Sequence, residues 1–129
     1  MNIVAIKSDM PRAELYLISD GRIKKLSWEA DRRLAKTLNT KIKTLLAKND
    51  LTLSRLDGIA VFSGPGSFTG LRIGHSVANA LAYSLEIPIV GVTGEHWLSA
   101  ADTRLHKQEN DHIALPKYGS PARVTKPKK

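Results

Sequence analysis

The middle of the chain reads as a strand, a glycine-rich loop, a helix and a second strand. The strands are Gly58–Phe62 and Ile89–Val92, and the helix is expected to begin near Leu71 and to end before Pro88. Apolar residues dominate both strands, which is typical of parallel strands that are covered on both faces. The segment therefore predicts a right-handed βαβ unit in a domain of the α/β class.

The loop between this strand and this helix, Ser63 to Gly70, allows two interpretations. Three glycines before a helix N-terminus could cradle a phosphate, because free backbone N–H groups and the helix dipole favour anions there. The glycines are spaced two and then four apart, and no Gly-Lys-Ser/Thr follows, so neither common phosphate-binding motif is matched. The spacing favours a rigid turn, in which Pro65 fixes φ and Ser67 or Thr69 caps the helix.

Length and composition restrict the function classes. With 129 residues and no cysteine, one domain is expected, and disulfides, thiolate chemistry and cysteine-based zinc sites are excluded. The first nine residues lack the pattern of a signal peptide, and no apolar run is long enough to cross a bilayer. A soluble, cytoplasmic protein without membrane contact is expected.

The net charge of +8 favours polyanionic partners. The cations fall in two groups, one around a predicted first helix and one in the C-terminal segment. Aromatic residues that could stack on single-stranded bases are few and scattered. A stand-alone basic module that binds nucleic acid, such as tRNA, is therefore the alternative function.

The N-terminal part predicts a three-stranded meander followed by a long helix. The strands are Asn2–Ile6, Ala13–Ser19 and Arg22–Leu26, and an Asp-Gly pair between the last two signals a hairpin turn. The helix is expected over Ser27–Lys48, with Ser27 as N-cap and Glu29 and Asp31 in its first turn. A one-turn helical connector is expected around residues 52–54.

Two stripes run along the second helix. Large apolar residues at helical spacing, Ile73, Val77, Leu81 and Leu85, predict a core stripe. Beside it lies a face of small residues, which would let another helix approach closely. The pattern predicts that this face is a partner surface, on which Ala78→Arg would block docking and spare folding; packing against the first helix is the alternative. The partner-binding residues predicted there are Leu71, Gly74, His75, Ala78, Asn79 and Ala82.

A third helix is expected from Gly94 to about Thr103, capped by Thr93. Residues 104–129 are polar, basic and rich in proline, which is typical of a tail. The predicted division is thus a domain over residues 1–103 and a C-terminal tail over residues 104–129.

The element order β-β-β-α-β-α-β-α is that of ribonuclease-H-like domains, the superfamily of actin, sugar kinases and heat-shock chaperones. The loop and the start of its helix resemble the signature of the TsaB (YeaZ) family. The residues that carry the signature are Ser63, Gly64, Pro65, Gly66, Ser67, Phe68, Thr69, Gly70 and Arg72. Further segments are similar to that family too, and the likeness extends from Met1 to about Ala101. They are Leu51–Leu53, Leu56–Val61, Ala80–Ala82 and Ile87–Val92.

The resemblance implies a ribonuclease-H-like fold and a non-catalytic role without a cofactor or metal. TsaB proteins are partners of the related TsaD, which transfers a threonylcarbamoyl group to an adenosine of tRNA, and an ATPase, TsaE, joins them. Helices on one face of the sheet form a bundle with TsaD, or with a second TsaB copy when TsaD is absent. Contact with tRNA would then be weak or indirect.

Two departures from the family pattern stand out. Lys7 replaces a carboxylate that nucleotide-using relatives employ to hold a metal and phosphate, so metal–ATP chemistry is not expected there. Family members are also longer and carry a second domain, although residues 116–129 resemble their extreme C-terminal segment, which suggests internal loss of that domain. The four histidines are expected to be surface or boundary residues, and His75 shows no obvious aim at the loop hydroxyls.

Overall fold

The structure, a computed structural model, describes residues 1–118 and contains one mixed sheet with three α-helices. The strands are β1 (Asn2–Lys7), β2 (Arg12–Ser19), β3 (Arg22–Glu29), β4 (Gly58–Phe62) and β5 (Ile89–Val92). The helices are α1 (Leu34–Ala47), α2 (Phe68–Leu85) and α3 (Trp97–His106). The strand order across the sheet is β3-β2-β1-β4-β5, which confirms the predicted five-stranded mixed sheet.

The predicted meander and βαβ unit are both present. The strands β1, β2 and β3 pair antiparallel, with Ser19 opposite Arg22 across the hairpin. Asp20 and Gly21 have φ values of 50° and 76°, so both residues of the turn are left-handed, as a tight hairpin requires. The strands β1, β4 and β5 run parallel, and α2 makes the crossover between the last two.

Side chains of alternating strand positions build two core layers, one on each side of the sheet. Val4 and Ile6 point into the layer beneath α1 and α2, whereas Ile3 and Ala5 point into the layer beneath α3. This follows from the two-residue period of a strand. The sheet is thus covered by two helices on one face and by one helix on the other.

The predicted start of the first helix is wrong. The segment that begins with Ser27 continues β3 to Glu29, where it still pairs with Arg12, and a 3-10 turn at Asp31–Arg33 precedes α1. Pairing with β2 outweighs the local cap signal, because the extended strand forms ladder hydrogen bonds that a helix would forfeit. The predicted connector is confirmed as a 3-10 turn at Leu53–Arg55.

The third helix and the described part of the C-terminal segment also differ from expectation. The helix begins at Trp97, three residues later than predicted, and Thr93 does not cap it. Arg104, the expected start of the tail, lies inside α3. Residues 107–118 then return across the end of the sheet, and we call this segment the strap. The rest of the predicted tail, 119–129, lies outside the described residues, and the division into domain and tail stays a prediction.

Within residues 1–118, no helix combines the length and the apolar character needed to cross a membrane.

Candidate functional site

The glycine loop packs directly against the turn that follows β1. A Cβ atom at Gly66 would overlap the Asp9 side chain, and one at Gly70 would overlap the Ser8 backbone carbonyl. The loop and the turn are also joined by a hydrogen bond from the Ser67 amide to the Asp9 carbonyl, 2.9 Å. The glycines are therefore needed for close approach of two backbone segments, as expected of the rigid turn.

The N-terminus of α2 is capped within the chain. The Ser67 hydroxyl accepts a hydrogen bond from the Gly70 amide at 3.3 Å, which confirms Ser67 as the cap. Beside it, Lys7 forms an ion pair with Asp9 at 2.7 Å. The turn after β1 thus lies directly against the loop and the N-terminus of α2.

Ser63 and His75 form a buried hydrogen-bonded pair beneath the loop, whereas the sequence predicts a surface or boundary histidine that is not aimed at the loop hydroxyls. The Ser63 Oγ atom lies 3.1 Å from His75 Nε2, and both residues are 3% exposed. His75 Nδ1 lies 2.7 Å from the Leu71 carbonyl oxygen, which can only accept, so Nδ1 carries the proton. Neutral Nε2 is then the acceptor, and the Ser63 hydroxyl donates to it.

The electrostatics of this pair follow from its burial. Desolvation lowers the pKa of His75, and the hydrogen bond to the Leu71 carbonyl opposes this shift only in part. The pair resembles a nucleophile with its base, but the group that orients His75 is a backbone carbonyl rather than a carboxylate. Gly91 closes the site from the sheet side, because a Cβ atom there would lie 2.7 Å from Ser63 Oγ.

The strap covers the same region from outside. The Lys117 amide donates to the Ser63 carbonyl at 2.6 Å. Earlier in the strap, Ala114 is bound to Asn79 of α2. The Ala114 amide donates to the Asn79 side-chain oxygen at 2.9 Å, and the Ala114 carbonyl accepts from the Asn79 side-chain nitrogen at 3.0 Å. The pair is therefore held in a closed space between the loop, β5 and the strap.

The partner surface predicted from the small residues of α2 is wrong, because this face turns inward. Leu71, Ala78 and Ala82 are at most 4% exposed, and Gly74 and His75 are buried as well. Asn79 is half-buried and engaged with Ala114. The small residues let α2 approach the sheet and the turn after β1, where a Cβ at Gly74 would overlap Ser8 Oγ. Ala78→Arg would place a charge in the core instead of testing docking.

A groove between α1 and α2 remains open, and two of its residues, Ile73 and Val77, belong to the stripe that the sequence predicts to be core. Ile73 and Val77 are only partly buried and pack against the core from its outer side. Together with Ala35 of α1 and Ser76 of α2 they line a shallow groove of about 340 Å³. The i, i+4 spacing of the large residues was visible in the sequence, but their outward position was not.

An exposed aromatic side chain, Phe68, lies at the start of α2 and contacts Arg72, which lines this groove. Phe68 is 56% exposed, stacks on Tyr118 with ring centroids 4.6 Å apart, and lies beneath the Arg72 guanidinium at 5.3 Å. Of the predicted signature residues, Phe68 and Arg72 are exposed, as are residues 65–67 and Thr69, whereas Ser63 and Gly64 are buried.

Comparison with known proteins identifies related families. Residues 28–115 match the family model described as "TsaD: tRNA N6-adenosine threonylcarbamoyltransferase". The chain is 28% identical over 115 residues to the tRNA threonylcarbamoyladenosine biosynthesis protein TsaB of Haemophilus influenzae, covering 89% of this chain and 49% of that protein. The chain thus spans about half the length of this relative.

Solved structures show the same similarity. YeaZ from Pseudomonas aeruginosa superposes with a TM-score of 0.67 at 29% identity, covering 72% of this chain and 45% of that one. RuvC from Thermus thermophilus, solved with a Holliday junction, has a TM-score of 0.52 at 10% identity over 96% of this chain and 85% of its own. The likeness to RuvC concerns the fold alone and confirms the ribonuclease-H-like architecture.

Proposed function

The chain belongs to the TsaD family and is a relative of the TsaB (YeaZ) proteins, and on this premise we propose that it is a non-catalytic partner subunit in tRNA threonylcarbamoyladenosine synthesis. Its partner would be a TsaD-like transferase, with a TsaE-like ATPase as a further component of a cytoplasmic assembly. In the absence of the transferase, the same surface would pair with a second copy.

The open groove between α1 and α2 carries this proposal. Ile73, Val77 and Leu81 recur every four residues along α2 and are only partly covered by the chain. The exposed residues Ala35 on α1 and Ser76 on α2, which line the groove, have small side chains that leave it shallow. A half-covered apolar stripe between two helices fits the ridge of another helix, which would bury it in a bundle.

The site geometry supports a role without catalysis. Ser63 and His75 are 3% exposed, so a substrate cannot reach the hydroxyl while loop and strap are in place. The glycine loop packs so closely against Ser8 and Asp9 that a Cβ atom at Gly66 or Gly70 would overlap them. The loop therefore serves to position α2, whose outer side forms the groove.

A docking test compares two matched variants. Ser76 in the groove and Thr103 on α3, beneath the other face of the sheet, are both exposed hydroxyl residues in helices. Ser76→Arg should abolish co-elution with the cognate TsaD-like protein in size-exclusion chromatography, because the long charged side chain would fill the groove. Thr103→Arg should bind like the unchanged chain, and both variants should keep the original melting temperature.

Two results would contradict the proposal. Retained binding by Ser76→Arg would remove the groove from the interface. A reconstituted tRNA modification reaction that proceeds equally well with and without this chain would remove the partner role itself.

A further inference from the structure

Two segments that are rich in positive charge lie next to each other in the described part of the chain. Residues 21–28 contain three Lys or Arg residues and residues 32–49 contain six, nine in all, and neither segment contains Asp or Glu. Residues 117–129 contain five more Lys or Arg residues and no Asp or Glu, and the rest of the chain is net negative. The first segment covers the edge strand β3 except its last residue, Glu29, and the second segment contains α1, which packs over this strand.

Contacts of Trp28 define which side of α1 faces β3. Trp28 Nε1 donates to Thr37 Oγ1 at 3.0 Å, and the Lys41 ammonium lies 5.8 Å from the ring centroid. Lys48 lies two turns beyond Lys41 on the same side of the helix, and Lys24 shares the strand face of Trp28. We call the surface formed by Arg22, Lys24, Lys41 and Lys48 the basic edge.

The cations of the basic edge are available to a ligand. Within residues 1–118, a single ion pair involves a Lys or Arg residue of β3 or of residues 32–49. It joins Lys25 to Glu14 at 3.8 Å. Arg22, Lys24 and Lys48 are exposed and take part in no ion pair among the described residues. Their mutual repulsion is therefore relieved only by solvent ions or by an anionic partner.

The chemistry of this surface fits a phosphate backbone better than a protein. Protein interfaces depend on exposed aromatic or large apolar anchors. Among the described residues, none of the large exposed apolar side chains belongs to α1, and Ile23, the one on β3, points to the opposite face of the sheet. Separate Lys and Arg charges on a polar surface are the usual means of contacting successive phosphates.

We propose that the basic edge binds the phosphate backbone of RNA. In the context of the proposed function, on which this choice of ligand rests, the RNA is tRNA. The basic edge lies on the side of α1 away from α2, so that RNA and a protein in the groove can be bound at the same time. The chain would then contribute a direct electrostatic contact to the substrate of its partner enzyme.

The test measures binding of the full chain to fluorescein-labelled tRNA by anisotropy over a range of salt concentrations, with no partner protein present. The triple variant Arg22→Gln, Lys24→Gln, Lys48→Gln removes three charges from the basic edge. The matched control, Lys43→Gln, Arg55→Gln, Lys107→Gln, removes three exposed charges elsewhere. Poly-glutamate of comparable charge competes with the tRNA to represent an acidic protein segment.

The unchanged chain should bind tRNA with a steep salt dependence. The basic-edge variant should bind roughly tenfold more weakly at low salt, and its slope of log K against log salt should fall by about 2, since each lost phosphate contact contributes about 0.7 to 0.9. The control should keep most of the slope. Equal losses in both variants, no tRNA binding at low salt, or equal competition by poly-glutamate would overturn the proposal, whereas failed docking of the transferase would leave this result unaffected.

Discussion

His75 couples the glycine loop to the helix that follows it. Its ring lies between the Leu71 carbonyl, one turn earlier in α2, and the Ser63 hydroxyl at the end of β4. Both hydrogen bonds suit the neutral imidazole, because Nδ1 donates and Nε2 accepts. A second proton on Nε2 would have to be accommodated in a space that excludes water.

The pH dependence of stability should show this burial. The unfolded chain takes up a proton on His75 near its ordinary pKa of about 6.5, whereas burial lowers the pKa of His75 in the folded chain. Between these two pKa values the unfolded state binds more protons, so the free energy of unfolding should fall as the pH falls below about 6.5. Urea titrations at several pH values measure this loss.

Two variants isolate the contribution of this histidine. His75→Gln should lose this component of the pH dependence, and His96→Gln, at an exposed position, should retain it. A direct NMR titration that placed the folded-state pKa of His75 at or above 6.5 would contradict the assignment.

At the scale of elements, α2 shows what its sequence could and could not reveal. Its existence, its Ser67 cap and its two stripes follow from local spacing. Which stripe faces inward depends on the distance between the helix and its neighbours. The turn after β1 lies so close to α2 that only Gly70 and Gly74 fit opposite Ser8, and Ile73 and Val77 are left on the outer side. Neither the residue spacing nor the composition specifies how closely the turn after β1 approaches α2.

The contact between Gly74 and Ser8 can be tested by a double-mutant cycle. Alanine in place of a helical glycine normally stabilises by up to about 1 kcal/mol, but here the added Cβ would overlap Ser8 Oγ. We expect Gly74→Ala to destabilise the chain by about 1 to 3 kcal/mol, as overpacking does. Ser8→Ala removes the obstructing atom, at the cost of its 2.8 Å hydrogen bond to the Gly70 carbonyl.

The double variant should be more stable than the sum of the two single effects predicts, with a coupling of about 1 kcal/mol in chemical denaturation. Strictly additive effects would show that the two residues are not in contact.

The boundary between β3 and α1 gives a second lesson at this scale. The N-cap signal at Ser27 is a property of a few neighbouring residues, whereas the strand continues because Arg12 lies opposite Glu29 across the ladder. The meander was predictable, since short turns favour the pairing of consecutive strands. The end of β3 at Glu29 was not predictable, because its pairing partner Arg12 lies 17 residues earlier and the residues around Ser27 do not encode that pairing.

For the molecule as a whole, the strap connects β5, α2, α3 and the glycine loop through hydrogen bonds. The Asp111 carboxylate accepts from the Gly91 amide at 2.8 Å and from Arg104 of α3, and the Asp111 amide donates to the Ile89 carbonyl at 2.7 Å. Burial alone would raise the pKa of Asp111, but the hydrogen bonds from Arg104 and the Gly91 amide outweigh it and lower that pKa. The outer edge of β5 is thereby paired rather than left open.

The strap should consequently unfold together with the domain. The amides of Asp111, Ala114 and Lys117 donate to the Ile89 carbonyl, the Asn79 side chain and the Ser63 carbonyl, respectively. If these bonds open only in global unfolding, the three amides exchange hydrogen at rates that report the full free energy of unfolding. A charged, proline-containing segment that merely lies on the surface would instead exchange within seconds to minutes.

Asn79→Ala tests whether α2 holds the strap. The change leaves the Ala114 amide and carbonyl without their partner, and we expect a loss of about 1 to 3 kcal/mol in stability. Hydrogen exchange should then be faster at Ala114 than at Asp111, whose bonds to β5 remain. Asn39→Ala, at an exposed position on α1, is the matched control and should change neither quantity. Unaltered protection of the Ala114 amide in Asn79→Ala would mean that β5 alone holds the strap, and the link between α2 and the C-terminal segment would have to be abandoned.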